Sequence, residues 1–227
     1  MSIAPDKFLR SLGPAFDAMA SGLVLVGAPP AVGKTCVSLN LAAHYAGHLG
    51  EGVLYFSPVT PREVILARLA KNVTPEGQSV DPGRVAEWPL CILDGPAPTS
   101  ASLLEAATAY VAQHGQPGLV LVNDLQSLRP GNTALSGVAA AIDIMADMRG
   151  VAKVCEAPLL LFSQLAEGKT ISTTVREQAD RVVTVSLSRE DTQHKYLRVF
   201  WADTPDPEGE CYDLALVRAT GVLKPHP

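Results

Sequence analysis

Short aliphatic runs alternate along the chain with longer stretches in which apolar residues recur every third or fourth position. The runs at 22–27 (GLVLVG), 52–57 (GVLYFS), 89–94 (PLCILD), 118–124 (GLVLVND) and 158–164 (PLLLFSQ) predict strands. They are apolar throughout rather than alternating, the pattern of a parallel sheet covered on both faces. Helices are predicted over 33–46, over 61–71 opening at Pro61, over 102–114 and over 134–156. Pro61 suits a first helical position, and Ser102 with Glu105 reads as a capping box. Leu103, Leu104, Ala107, Tyr110 and Val111 form one stripe of the third helix. Leu135, Val138, Ile142, Met145, Met148 and Ala152 form that of the fourth, its methionines read as core. Beyond residue 180 the period changes: DRVVTVSLS, HKYLRVFWA and CYDLALVRA predict an antiparallel extension beside the parallel sheet. The expectation is a single α/β domain over 1–227, with a lead-in at 1–20, an acidic turn at 203–210 and a loose tail at 223–227.

Between the first strand and first helix lies GAPPAVGKTC. Counted from Ala28, four residues precede Gly33-Lys34-Thr35, the spacing of a phosphate-binding loop. Such a loop holds a polyphosphate with main-chain N–H groups and the positive end of a helix. Pro29 and Pro30 have no N–H, so the donors must come from residues 31–35. Gly33 lets the backbone approach the phosphates. Lys34 is expected to reach the β- and γ-phosphates, and the Thr35 hydroxyl to ligate Mg²⁺. The expected nucleotide contacts are Ala28, Ala31, Val32, Gly33, Lys34, Thr35 and Cys36. An acid at the end of another strand should complete the magnesium shell, and GLVLVND supplies two competing positions, Asn123 and Asp124. Successive strand residues point to opposite faces, so one of the two faces the phosphates. If it is Asn123, the carboxylate charge is missing.

Composition narrows the partners. Aromatic residues make up only 5% of the chain against 47% hydrophobic, so the core is aliphatic. A net charge of −5 argues against a strong stand-alone grip on nucleic acid, which depends on lysine and arginine neutralising phosphates. Cys36, Cys91, Cys155 and Cys211 are widely spaced, as expected of thiols in a reducing cytoplasm. No signal-peptide pattern or membrane-length apolar run is apparent, so no membrane partner is expected.

The segments GAPPAVGKT, VLYFS, VNDLQSL, LLLFSQL and REQADRVV stand in the order found in the ATPase domain of DnaB-type replicative helicases. The chain resembles that domain, a RecA-like P-loop ATPase, from about residue 10 to the last strand. The resemblance implies a RecA-like core, ATP with Mg²⁺, nucleotide sites between subunits of a homo-oligomer or beside a related ATPase, and association with single-stranded DNA. It implies that Gln164 senses the γ-phosphate. It also exposes departures. The glutamate that activates the attacking water falls on Val59, with Glu63 one helical turn further as the candidate substitute. The magnesium aspartate falls on Asn123, with Asp124 one place late. The basic finger that reaches a neighbour's site falls on the acidic segment ADTPDPEGE, although Lys195, Arg198 and Arg218 lie on either side. The DNA-contacting loops fall near 129–137 and 166–178, and the second balances Lys169 and Arg176 against Glu167 and Glu177. The family's N-terminal helical domain is expected to be absent. Two functions follow from these features: an ATP-hydrolysing helicase-like motor, or a degenerate relative that binds nucleotide and serves as a regulator or assembly partner.

Overall fold

The computed structural model describes residues 21–72, 81–95, 98–166, 171–200 and 211–225. The lead-in at 1–20, the acidic turn at 203–210, and Glu167 and Lys169 lie outside the described residues. The strands are β1 (Gly22–Ala28), β2 (Val53–Ser57), β3 (Leu90–Asp94), β4 (Leu119–Asn123), β5 (Pro158–Gln164), β6 (Arg181–Glu190), β7 (His194–Phe200), β8 (Cys211–Val217) and β9 (Leu223–Pro225). They form one sheet in the order β3-β2-β4-β5-β1-β6-β7-β8-β9. Pairing is parallel from β3 through β6 and antiparallel from β6 through β9.

The unbroken apolar runs have a direct structural cause. Val24 and Val26 of β1, Val53 and Tyr55 of β2, Leu119 and Leu121 of β4, and Leu160 and Phe162 of β5 enter one core. Their sequence neighbours Leu23, Leu25, Leu54, Phe56, Val120, Val122, Leu159 and Leu161 enter the other. Each strand alternates faces, but both faces are dry, so every position is apolar. The first core is roofed by α1 (Lys34–Ala42), α2 (Arg62–Asn72) and the short α3 (Pro82–Ala86). The second is roofed by α4 (Ser100–His114), α5 (Gly137–Cys155) and the short α6 (Thr173–Arg176).

Several boundaries differ from the sequence reading. The helix that opens at Lys34 continues past residue 46 as a π-helical segment, Ala43–Leu49, that ends at Gly50 with φ 69°. Gly47 lies where a Cβ would stand 2.7 Å from the Trp88 ring, so the indole packs directly on the helix backbone. The N-cap of α4 is Thr99, not Ser102: Thr99 Oγ1 accepts from the Ser102 N–H at 3.2 Å, and the Ser102 hydroxyl donates back to the Thr99 carbonyl. On α5, Met145, Met148 and Ala152 are buried as expected, but Val138 is 52% exposed and Leu135 precedes the helix. The buried stripe begins only at Ile144, more than two turns beyond Leu135, and Ile142 is half-buried rather than core. The segment read as a loose tail pairs with β8 over Leu223–Pro225. Asn40 of α1 secures that strand: its Nδ2 donates to the Gly221 carbonyl at 2.8 Å and its Oδ1 accepts from the Leu223 N–H at 3.1 Å.

Candidate nucleotide site

Parallel strands deliver their C-terminal ends to one rim of the sheet, and ligands of open α/β folds bind there. Ala28 pairs with Gln164, and Asn123 with Phe162, so the ends of β1, β5 and β4 stand side by side. The loop leaving β1 turns into α1 at Gly33, whose φ of 123° is inaccessible to most side chains. The Gly33 carbonyl accepts the first α-helical bond, from the Val37 N–H at 3.0 Å. A Cβ on Gly33 would also stand 3.0 Å from Leu216 Cδ2, a tight contact that only a shift of that leucine would relieve. Ala31 sits at φ 60° in the left-handed region.

Lys34 Nζ folds back over the loop and donates to the carbonyls of Ala28 and Pro29, both at 3.2 Å. Burial pushes this ammonium below its ordinary value, and the nearby Asp124 carboxylate partly opposes the shift. Ala28 and Val32 are buried and Cys36 packs against the core, so these residues present main chain to the loop. Burial pushes the Cys36 thiol up, against smaller opposing effects of Arg68 and Lys195.

Asn123 and Asp124 diverge, and the peptide bond between them is cis. Asn123 Nδ2 donates to Thr35 Oγ1 at 3.2 Å. Asp124 Oδ1 accepts from the Ser127 hydroxyl at 2.7 Å and fastens the 3₁₀ turn Leu125–Ser127. Behind Asn123 lies a contact set that the sequence reading missed. Tyr55 is buried, and its hydroxyl shares a 2.7 Å hydrogen bond with Ser38 Oγ and takes a long 3.5 Å bond from Asn123 Nδ2. Ser38 in turn donates to the Thr35 carbonyl at 2.9 Å. Thr35, Ser38, Tyr55 and Asn123 thus form a closed polar knot where β2, β4 and α1 meet. Burial pushes the Tyr55 phenol up, and its bonds to Ser38 and Asn123 oppose the shift.

Gln164 ends β5 with an exposed side chain. Its backbone is gripped by Gln126, whose Oε1 accepts from the Gln164 N–H at 2.9 Å while its Nε2 donates to the Gln164 carbonyl at 3.1 Å. The sequence gives no sign of the Gln126 clamp, although the residue lies within VNDLQSL. Val59 is 72% exposed beyond β2, and Glu63 is exposed in the first turn of α2. Of the loop expected at 129–137, the first residue is zipped down: the Ser100 N–H donates to the Arg129 carbonyl and the Arg129 N–H to the Pro98 carbonyl. Arg198 is engaged by Asp213 in a two-pronged bridge at 2.7 and 2.8 Å, and Arg218 pairs with Glu190. The segment expected to hold the finger, 202–210, lies outside the described residues. Among the described residues no cluster of three His, Cys, Asp or Glu side chains is arranged to hold a metal, and no helix is long and apolar enough to cross a membrane.

No protein-family model matches the chain. The replicative DNA helicase DnaB of Nostoc sp. is 28% identical over 182 residues, covering 70% of this chain and 20% of that protein. The DnaB helicase of Pasteurella multocida is 29% identical over 180 residues, 71% of this chain and 37% of that one. The chain therefore spans well under half the length of these relatives. The structure of a DnaB-like replicative helicase, described with its interactions with primase, superposes with a TM-score of 0.71 at 17% identity, over 88% of this chain and 58% of its own. A further solved ATPase domain superposes with a TM-score of 0.74 at 16% identity, over 92% of this chain and 86% of its own. In motif order, in sequence and in fold, the chain resembles the RecA-like ATPase domain of DnaB-type replicative helicases.

Proposed function

We propose that the chain binds ATP and ADP at the loop 28–36, as a helicase-like ATPase domain whose hydrolysis is slow. The observation that carries this reading is the glycine-hinged start of α1 with Lys34 Nζ folded over it. A bound phosphate competes for that ammonium with two neutral carbonyls and adds the attraction between opposite full charges, which the carbonyls lack. Thr35 fits a magnesium ion carried by the nucleotide, since such an ion takes most of its oxygens from phosphates and water. The remaining donors are few for a protein metal centre: Asn123 is neutral, and one oxygen of Asp124 is taken by the Ser127 hydroxyl, which leaves the other, among the described residues, as the one carboxylate donor beside the loop. When bound, magnesium would neutralise phosphate charge; the chain's own part is to hold the tail with amides, Lys34 and the Thr35 hydroxyl.

Slow turnover is inferred from the residue that the resemblance sets at the water-activating position. Val59 cannot accept a proton from water, and loss of a general base costs about 10²–10⁴ in rate. Glu63 is the candidate substitute, and Gln164, beside Ala28 on the rim, is the candidate γ-phosphate sensor. Association with single-stranded DNA, with other copies or with a related ATPase, and a cytoplasmic setting, belong to the same proposal by similarity to the helicases. The second reading, a nucleotide-binding regulator or assembly partner without useful turnover, is favoured by Val59 together with the neutral Asn123.

Calorimetry with ATP, with and without Mg²⁺, tests the first part. Micromolar or weaker binding that is lost in Lys34→Ala is the expected result, and equal affinity for both proteins overturns it. A phosphate-release assay with and without single-stranded DNA separates the readings. Turnover of about one per second, within the ordinary enzymatic range, and stimulated by DNA, rejects the regulator.

A further inference from the structure

The phosphate loop is held from outside by a residue far away in sequence. Lys195 of β7 donates from Nζ to the Ala31 carbonyl at 2.6 Å. Two independent features show that the loop is built against β7 and β8. Lys195 and Leu197 share one face of β7, and Lys195 pairs in register with Leu216 of β8. The space a Cβ would take on Gly33 is bounded by Leu216 at 3.0 Å and Leu197 at 4.0 Å. The loop therefore rests on a bed of two leucines, with the Lys195 ammonium at its edge. Ala31 also occupies the left-handed region at φ 60°, which costs a non-glycine residue about 1–2 kcal/mol. A conformation of that kind persists only where surrounding contacts impose it.

The consequence lies in the peptide plane between Ala31 and Val32. That bond is trans, so its C=O and N–H point in opposite directions. Drawing the Ala31 oxygen toward Lys195 turns the Val32 N–H to the far side of the loop. Pro29 and Pro30 have no N–H to offer, so each amide from residue 31 onward carries a larger share of anion binding. Resting on the nucleotide-site reading above, we propose that Lys195 is a positioning residue of the phosphate loop, which fixes the Ala31 carbonyl and thereby presents the Val32 amide to a bound polyphosphate.

The test uses the full chain, its Lys195→Met and Lys195→Arg variants, and Lys224→Met as a control. The control makes the same change of charge on β9, at a position paired with Ala215. Each is titrated with ATP and with inorganic tripolyphosphate by calorimetry, and melting curves confirm folding. Lys195→Met is expected to weaken both ligands roughly tenfold, the equivalent of one charged hydrogen bond. Lys195→Arg should retain most of the affinity, and Lys224→Met should stay within about twofold of the unaltered protein. In [¹⁵N]valine-labelled protein without ligand, the Val32 amide resonance should move in Lys195→Met and return toward its original position in Lys195→Arg. Equal polyphosphate affinity of Lys195→Met and the unaltered protein, or an unmoved Val32 resonance, overturns the positioning role while the nucleotide site stands. Failure of the unaltered protein to bind ATP or tripolyphosphate overturns both.

Discussion

Asn123 carries the sharpest functional consequence of any single side chain. Its carboxamide, rather than the Asp124 carboxylate, contacts the Thr35 hydroxyl. A carboxylate there would add the negative charge that attracts a nucleotide-borne cation. The double variant Val59→Glu with Asn123→Asp is therefore expected to raise phosphate release by at least tenfold, measured under saturating ATP and Mg²⁺. No change would move the chemistry to Glu63 and Asp124. Tyr55 supports Asn123 from behind. Removing its hydroxyl as Tyr55→Phe leaves Ser38 still bonded to Thr35, so a loss of about 1–2 kcal/mol is expected in urea unfolding. The Tyr55 phenol is raised above its ordinary value of 10.0 by burial. A raised acid binds its proton more tightly when folded, so its stabilising contribution is complete below the unfolded value and fades as pH climbs past it. Part of the alkaline loss of stability above about pH 10 should thus disappear in Tyr55→Phe.

At the scale of elements, five of the six parallel strands were legible because burial on both faces writes itself as an unbroken aliphatic run; β6, read as part of the antiparallel extension, pairs in parallel with β1. The turn at Gly33 into α1 was legible because its signal is local, with glycine hinge and helix start contiguous in the chain. Helix ends were less so. Ser102 with Glu105 matches a capping box, but the helix starts at Ser100, because the bridge between Thr99 and Arg129 fixes the entering strand earlier. Thr99→Ala should cost about 1 kcal/mol and Ser102→Ala less, in thermal or urea unfolding; the reverse order would restore Ser102 as the cap. The Tyr55–Ser38–Asn123 knot, the Gln126 clamp and the Lys195 contact left no local trace. Their partners meet only when strands distant in sequence become neighbours in the sheet.

For the whole molecule, two apolar layers share one sheet, and Cys155 at the end of α5 lies fully within the second. Burial alone raises its thiol from 9.0 to about 11. The folded state therefore holds this proton longer than the unfolded one, and stability should decline as pH rises from 9 toward 11. Replacing Cys155 with alanine should flatten that part of a pH series of urea midpoints, whatever it does to stability at neutral pH. The hold of Asn40 on Gly221 and Leu223 has a reach of its own. The strand Leu223–Pro225 is lashed to the same helix that bears Lys34, so a pull on that strand bears on the helix whose first turn is the proposed phosphate cradle. A fluorophore or fusion grafted beyond Leu223 would act less as a passive flag than as a lever, and its occupancy should register in how firmly the nucleotide is kept.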